Sequence, residues 1–448
     1  MIAIANKEEQ EITVNDIVCK YTIKDYKEKY KKIMQFNKNK TAYIHQWYPF
    51  VEGYSKEFIN SIVEEIDYKI DFALDPFAGS GTTPLELQNL GINCFSFEVS
   101  PFMFLLANVK LESSYKFEEF NENLNNIEVF LKKTINKNIR KKISPPVANT
   151  FQPRLNKDKW VFDIQVMDGI LDIKYAINNH AKGIYRDLFK IALSSILLDI
   201  SNVYRNGKCL SYKKDWKEKN ITRSEVHEKF LIKLKDVISK DIEKIDNTKT
   251  LINNSKLCFY GDVRENLSKL NDNSIDLIIT SPPYLNSRDY TDIYIAELWN
   301  LDLIKSYDEL RLLRKKTFRS HVQIKHGIVE LLDIKQLKQA IEKIELKKSD
   351  FWNTEIPQMI KAYFLDMEGL FKEFKIKMKP NRKIYFNVAN SAYYGVEIKV
   401  DEIICEIAEK HGFVINEIRE ARQLKPSNQQ KHQIKSLRES VIVMTSEN

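Results

Sequence analysis

Phe72-Ala73-Leu74-Asp75-Pro76-Phe77-Ala78-Gly79-Ser80-Gly81-Thr82-Thr83 reads as an apolar strand, a glycine turn and the opening of a helix that runs through Leu85, Leu87 and Leu90 to Gly91. Such a unit brings backbone N–H groups and a helix amino terminus against a ligand, and the glycines permit close approach. Asn93-Cys94-Phe95-Ser96-Phe97-Glu98 follows as a second strand that ends in an acid, the position from which a carboxylate binds the hydroxyls of a ribose. Thr82 stands where a phosphate-binding P-loop needs Lys, which argues against nucleoside triphosphate hydrolysis, and the three spaced glycines of a dinucleotide site are absent. A ligand with a ribose and no phosphate fits the turn better.

A second strand end points the same way. Ile275-Asp276-Leu277-Ile278-Ile279 is a buried-strand run, and Thr280-Ser281-Pro282-Pro283-Tyr284 must stop it, because proline cannot donate to a sheet ladder. In open α/β sheets the carboxyl edge of the strands is where ligands bind. The two fixed φ angles hold the Ser281 side chain, the Pro282 carbonyl and the Tyr284 ring as a stiff group. Two acceptors beside a flat aromatic face suit a planar base with an exocyclic amino group.

The two segments together resemble the S-adenosylmethionine-dependent DNA amino-methyltransferases of the cytosine-N4 and adenine-N6 type. Asp75 to Thr83 is similar to their cofactor motif and Thr280 to Tyr284 to their catalytic motif. The resemblance implies a Rossmann-like α/β fold of the class I methyltransferase type, with a mostly parallel twisted sheet flanked by helices, plus a largely helical insert. It implies S-adenosyl-L-methionine as cofactor, with Glu98 on the ribose hydroxyls, Asp75 and the turn from Gly79 to Gly81 bordering the methionine end, Asp262 on the adenine amino group, and Pro76, Phe77 and Thr82 as further cofactor-binding residues. Ser281, Pro282, Pro283 and Tyr284 are implied as the group that holds the target base. Trp47-Tyr48-Pro49-Phe50 with Gly53-Tyr54-Ser55 resembles the family's additional cofactor-contacting segment, and Tyr54 and Ser55 are carried over as cofactor residues. Asn286, Asp289-Tyr290 and Glu297-Leu298-Trp299 resemble its substrate-side loop. Roughly half the chain is covered, and the two motifs are the specific part.

The implied reaction is methyl transfer to the exocyclic amino group of a base extruded from duplex DNA. The serine form of the catalytic motif leans toward cytosine N4; adenine N6, an RNA amino group, and a catalytically inert recognition subunit stand as alternatives. None of the five cysteines, Cys19, Cys94, Cys209, Cys258 and Cys405, lies beside the catalytic motif, against a route through ring-carbon methylation. Double-stranded DNA is the implied partner, with a cognate endonuclease where the protein serves a restriction-modification system.

Composition is compatible with a polyanion. Lys and Arg number 70 against 62 Asp and Glu, a net charge of +8, and such an excess matters where it is concentrated. Lys305, Arg311, Arg314, Lys315, Lys316, Arg319 and Lys325 face only Asp308 and Glu309 within one stretch. Arg311, Arg314, Lys315, Lys316 and Arg319 are therefore candidate DNA contacts, with a solvated helix face as the alternative. A second cluster, Lys132, Lys133, Lys137, Arg140, Lys141 and Lys142, has the same ambiguity.

If both motifs share one sheet, the catalytic domain is discontinuous, over 40–110, 255–304 and 356–448. Residues 111–254 then form a mostly helical insert, 305–355 a basic insert, and 1–39 an N-terminal extension; one of the two inserts is expected to read the DNA sequence. Neither a charged-then-apolar leader nor a membrane-length apolar run is visible, and the cysteines and histidines show no metal spacing, so a cytoplasmic protein without zinc is expected.

Overall fold

The computed structural model describes residues 19–134, 139–206, 209–248, 252–286, 288–427, 430 and 433–448; Lys137 of the second basic cluster lies outside them. An eight-stranded sheet is built from β1 (Ile23–Asp25), β2 (Phe72–Asp75), β3 (Asn93–Glu98), β4 (Cys258–Tyr260), β5 (Ile275–Thr280), β6 (Met378–Ala389), β7 (Phe413–Leu424) and β8 (Leu437–Ser446). Its order is β1-β7-β8-β6-β5-β2-β3-β4. Every neighbouring pair is parallel except those made by β8, which runs antiparallel to both β7 and β6. This is the class I methyltransferase arrangement, with the extra edge strand β1 drawn from the expected N-terminal extension.

The strand period of two decides how the sheet is covered. Leu74 and Ile278 point to one face, where they pack with Phe371 and Phe374 of the helix Ile356–Lys377 and with Ile403 and Ile404 of the helix Val400–Lys410. Ala73, Leu277 and Ile279 point to the other, against Phe58, Ile59 and Ile62 of the helix Lys56–Val63. With both faces covered, β5 is buried along its whole length, its polar Asp276 and Thr280 included, as parallel strands inside α/β sheets require.

The chain order reverses between β2 and β5, since the connections from β2 move toward β3 and β4 while β5 leads to β6. The crevice outside the carboxyl ends of these two strands is the ligand position in such sheets. Thr280 Oγ1 donates to Asp75 Oδ1 at 2.8 Å there, stitching together two strand ends that are 205 residues apart in sequence.

The insert is mostly helical, with α-helices Phe117–Thr134, Ile164–His180, Gly183–Ile200, Arg223–Ile232 and Ser239–Asn247, and carries a hairpin of Val203–Arg205 and Leu210–Tyr212. Its core is continuous with the helix Pro101–Leu111 that follows β3 and with Trp47 and Tyr48 upstream. Asp241 of the insert accepts from the Ile44 amide, Gln46 and the Trp47 indole. The insert is thereby packed on the same segment that leads into the cofactor turn.

The turn itself depends on glycine at two places. Gly79 has φ +50 and Gly81 φ +77, a region costly for residues with a Cβ. A Cβ on Gly81 would stand 3.0 Å from Ala107 Cβ and 3.1 Å from its Cα, so this glycine lets the turn sit on the helix Pro101–Leu111. Gly81→Val combines a β-branched residue at positive φ with overpacking against backbone and is expected to lower the unfolding free energy by about 3 kcal/mol in urea titrations.

Candidate active site

A cavity of ≈ 630 Å³ opens at the crevice, and Gly79, Glu98 and Asp262 line it together with Ser281, Pro282, Pro283 and Tyr284. The glycine turn and the diproline segment thus face one space. Pro76, Phe77 and Tyr54 also line it. Asp75, Gly81, Thr82 and Ser55 are not among its lining residues. Asp75 lies beneath, bound by Thr280 and accepting from the Phe77 amide at 3.1 Å, and desolvation pushes its carboxyl up to about 6. Gly81 and Thr82 form the seat of the helix Thr82–Asn89, and Ser55 is turned inward, donating to the Ile33 carbonyl at 3.1 Å.

Glu98 is held by the turn it faces. Its carboxylate accepts from the Gly79 amide at 2.9 Å and the Ser100 amide at 2.7 Å. Burial outweighs these bonds and raises its pKa from 4.5 to about 7, and the Asp75 charge adds to the rise. Behind the turn, Lys110 donates to the Ser80 carbonyl at 2.6 Å; desolvation lowers that ammonium to about 7. Asp262 caps the short helix Val263–Asn266 and is held on both oxygens by Arg264 Nε at 3.0 Å. Arg264 also reaches Asp366 at 2.6 Å.

The diproline segment lines the same cavity. Tyr284 lies with its hydroxyl donating to Glu439 Oε1 at 2.6 Å and accepting from Asn387 Nδ2 at 2.7 Å. Asn387, Glu439 and Arg422 also line the cavity, three residues that the motifs did not single out. The Trp47 to Ser55 segment divides. Phe50, Glu52, Gly53 and Tyr54 border the cavity, while Trp47 and Tyr48 are buried in the core behind it. Tyr54 donates or accepts at Thr83 Oγ1, 2.6 Å away. Glu52, 3.8 Å from Arg288, has its carboxyl raised by burial to about 7. Of the expected substrate-side loop, Asn286 and Tyr290 reach the cavity, Asp289 ion-pairs with Arg314 at 2.5 Å, and Glu297 joins Tyr48 and Arg205 in a buried cluster.

The basic candidates separate by partner. Arg314 is bound by Asp289 and Asp292, each at 2.5 Å, and Arg319 by Asp366 at 2.5 Å, so both tie this segment to the body of the protein. Arg311, Lys315 and Lys316 are exposed. Arg311 pairs with Asp308 at 2.6 Å on the helix Tyr307–Lys316, and Lys316 lies at the cavity rim.

A DNA methylase family model (N6_N4_Mtase) matches residues 1–109, the stretch that holds the glycine turn and Glu98. The chain is 27% identical over 463 residues to the type II methyltransferase M.BsoBI of Geobacillus stearothermophilus, covering 92% of this chain and 87% of that protein. These similarities support the amino-methyltransferase family that the two motifs resemble. Type II methyltransferase M.AvaI of Anabaena variabilis is 27% identical over 416 residues, covering 87% of this chain and 83% of that one. Type II methyltransferase M.MvaI of Kocuria varians is 24% identical over 407 residues, covering 85% and 84%. These matches cover 85% to 92% of the chain, so the similarity to type II methyltransferases is not confined to the two motifs. Among the described residues no helix is long and apolar enough to cross a membrane, and no group of His, Cys, Asp and Glu has the arrangement of a metal site.

Proposed function

We propose that this amino-methyltransferase transfers the methyl group of S-adenosylmethionine to the exocyclic amino group of a base flipped out of double-stranded DNA, with cytosine N4 as the favoured target, as the modification activity of a restriction-modification system. The observation that carries the reading is the shared cavity, lined by Gly79 and Glu98 together with Ser281 to Tyr284. The full-length similarity to type II methyltransferases supports the DNA substrate and the restriction-modification setting.

The cofactor half fits a nucleoside. Glu98 is a half-buried carboxyl that accepts from two backbone amides, and it faces a turn where glycine leaves room for close approach. Ribose hydroxyls supply the further donors that favour its charged form. Tyr54, Pro76, Phe77 and Asp262 line the same cavity, and Asp262 is the residue proposed to accept from the adenine amino group. When bound, S-adenosylmethionine supplies an electrophilic methyl on a sulfonium.

What remains for the chain's own residues is orientation. The lone pair of a ring amino group is delocalised into the ring, which makes the nitrogen a poor nucleophile. Ser281 Oγ and the Pro282 carbonyl accept the two N–H bonds, favouring a pyramidal nitrogen whose lone pair points across the cavity, and the Tyr284 ring returns by stacking part of the few kcal/mol that base extrusion costs. Serine at 281, rather than an acid or amide, is the basis for favouring cytosine.

The deciding experiment incubates plasmid DNA, and separately RNA, with the protein and labelled S-adenosylmethionine, then identifies the modified nucleoside by mass spectrometry. N4-methylcytosine is expected in DNA. N6-methyladenine replaces the target assignment, label confined to RNA replaces the substrate, and no label on either polymer overturns the proposal.

Phosphate contact is proposed for Lys315 and Lys316, beside the cavity rim and without the carboxylate clamps of Arg314 and Arg319. Replacing both lysines by alanine is expected to weaken DNA binding at every sequence alike and to reduce the slope of log K against log salt by about 2. Arg314→Ala is expected instead to lower the melting temperature, since it leaves the buried Asp289 without its cation. Fluorescence anisotropy across a salt series and thermal melts separate the two.

A further inference from the structure

Three strands that belong to neither motif converge on the catalytic tyrosine. β6 and β7 run parallel to β5, so their carboxyl ends share its edge, and β8, running antiparallel, brings its amino end to the same place. Asn387 stands near the end of β6, Arg422 near the end of β7 and Glu439 near the start of β8. Arg422 and Glu439 are direct cross-strand partners, next to a register shift at Ala421 that bends β7; such irregularities re-aim side chains beside functional sites. Glu439 in turn faces Ala389, two residues from Asn387 on the same side of β6, and Ser281 follows Thr280, whose partner on β6 is Phe386.

The hydrogen bonds along this edge have a fixed sense. The Arg422 guanidinium donates to the Glu439 carboxylate, and that carboxylate only accepts. The single phenolic proton of Tyr284 must therefore go to Glu439, at 2.6 Å. Burial foremost, and then the Glu439 charge, push the phenol well above its ordinary pKa, so the proton stays. With its proton committed, the Tyr284 oxygen can only accept from Asn387, which must present its NH2 and not its carbonyl. The other hydrogen of that NH2 is directed at Ser281 Oγ, 3.4 Å away. This sense leaves Asn387 Oδ1 buried without a partner, a cost accepted in exchange for the direction of the chain.

We infer that Glu439, Arg422 and Asn387 are positioning residues for methyl transfer, acting through the Tyr284 hydroxyl to hold the tyrosine ring and to orient the Ser281 oxygen toward the amino group of the base. The inference rests on the methyl transfer proposed above. None of the three touches the reacting atoms. Their effect falls on kcat, because they set the angle of an acceptor whose contact matters most as the nitrogen becomes pyramidal.

A double-mutant cycle tests it, with Glu439→Gln, Tyr284→Phe and their combination in the full-length protein, by single-turnover methylation of plasmid DNA. Each single variant is expected to lower the methylation rate about tenfold, with the Kd for S-adenosylmethionine unchanged within about twofold. In the Tyr284→Phe background, Glu439→Gln is expected to have no further effect, because the hydroxyl through which it acts is already gone. Independent, multiplying losses overturn the inference, as does a Tyr284→Phe rate equal to that of the unmodified protein. A purely structural role predicts losses that track thermal stability and additive combination. Should Glu439→Gln fail to fold, Asn387→Ala runs the same cycle from the other end of the chain. Absence of methylation by the unmodified protein removes the function and this inference with it, whereas methylation with an additive cycle removes this inference alone.

Discussion

Replacing Ser281 by alanine is expected to lower the rate of methyl transfer by about 10²- to 10³-fold while S-adenosylmethionine still binds with its original affinity. The magnitude follows from the role proposed for the side chain. In the proposed reaction it is a preorganised polar group that meets the reacting amino nitrogen, and removing one such group from a water-poor site costs about 3–4 kcal/mol of transition-state stabilisation. Ser281 is the only member of its pair that substitution can remove, since the second acceptor is the Pro282 carbonyl. Affinity for the cofactor is expected to be spared because Ser281 is not among the residues proposed to hold it, Glu98, Gly79 and Asp262, although all four line one cavity. Fold is spared as well, because Ser281 is partly exposed to the cavity and its hydroxyl receives one long bond, from Asn387 at 3.4 Å. Single-turnover kinetics with labelled cofactor, alongside calorimetry, check both halves. A loss of methylation and of cofactor binding together indicates a collapsed crevice, and a rate within about tenfold of the original excludes Ser281 as the acceptor.

That prediction could be framed from the sequence because both motifs announce themselves locally. A glycine turn must follow a strand and open a helix, and a diproline must end a strand, whatever the rest of the chain does. The mostly parallel sheet was expected from the family resemblance, in keeping with strands that alternate with helices; the order of its strands and the antiparallel course of β8 were not read from the sequence. The network on Tyr284 was not legible. Glu439 opens the last strand, and an acid at the start of a strand carries no signal until β8 is known to run antiparallel, which puts its first residues at the edge where its neighbours end. Asn387 offered a weak cue, a polar residue near the end of the apolar strand Lys383 to Val388, at the edge where ligands bind. The basic segment shows the opposite limit. Arg311, Arg314, Lys315, Lys316 and Arg319 look alike as a charge run, yet Asp289, Asp292 and Asp366 claim two of them, and Asp366 is remote in sequence. Ser55, Gly81 and Thr82 lie within the motif segments but turn away from the cavity, because a strand-to-helix connection must also pack on its own domain.

Cofactor binding is expected to strengthen with pH in a manner that Glu98 controls. Its carboxyl is raised from 4.5 to about 7, by desolvation first and against the two amide bonds that oppose the rise. Ribose hydroxyls in the proposed site would donate to the carboxylate form, so binding would draw Glu98 toward ionisation and release its proton. Affinity for S-adenosylmethionine is expected to increase about tenfold between about pH 6 and about pH 8, and calorimetry in buffers of different ionisation enthalpy should count close to one proton released at the acid end. The sign for stability is the reverse. The folded state holds a proton between pH 4.5 and about 7 that the unfolded chain has lost, so the Glu98 contribution to folding declines as pH rises through that window. Asp75, up to about 6, and Glu52, up to about 7, titrate in the same crevice, and Lys110 lies behind the turn, which is why the assignment needs a variant. Glu98→Gln keeps the shape and an acceptor oxygen but has no proton to release. Its affinity is expected to fall about tenfold or more at pH 8 and to lose the Glu98 share of the pH dependence. A pH profile unchanged by Glu98→Gln assigns the titration to Asp75 or Glu52 and removes Glu98 from the ribose, whatever base the diproline segment holds.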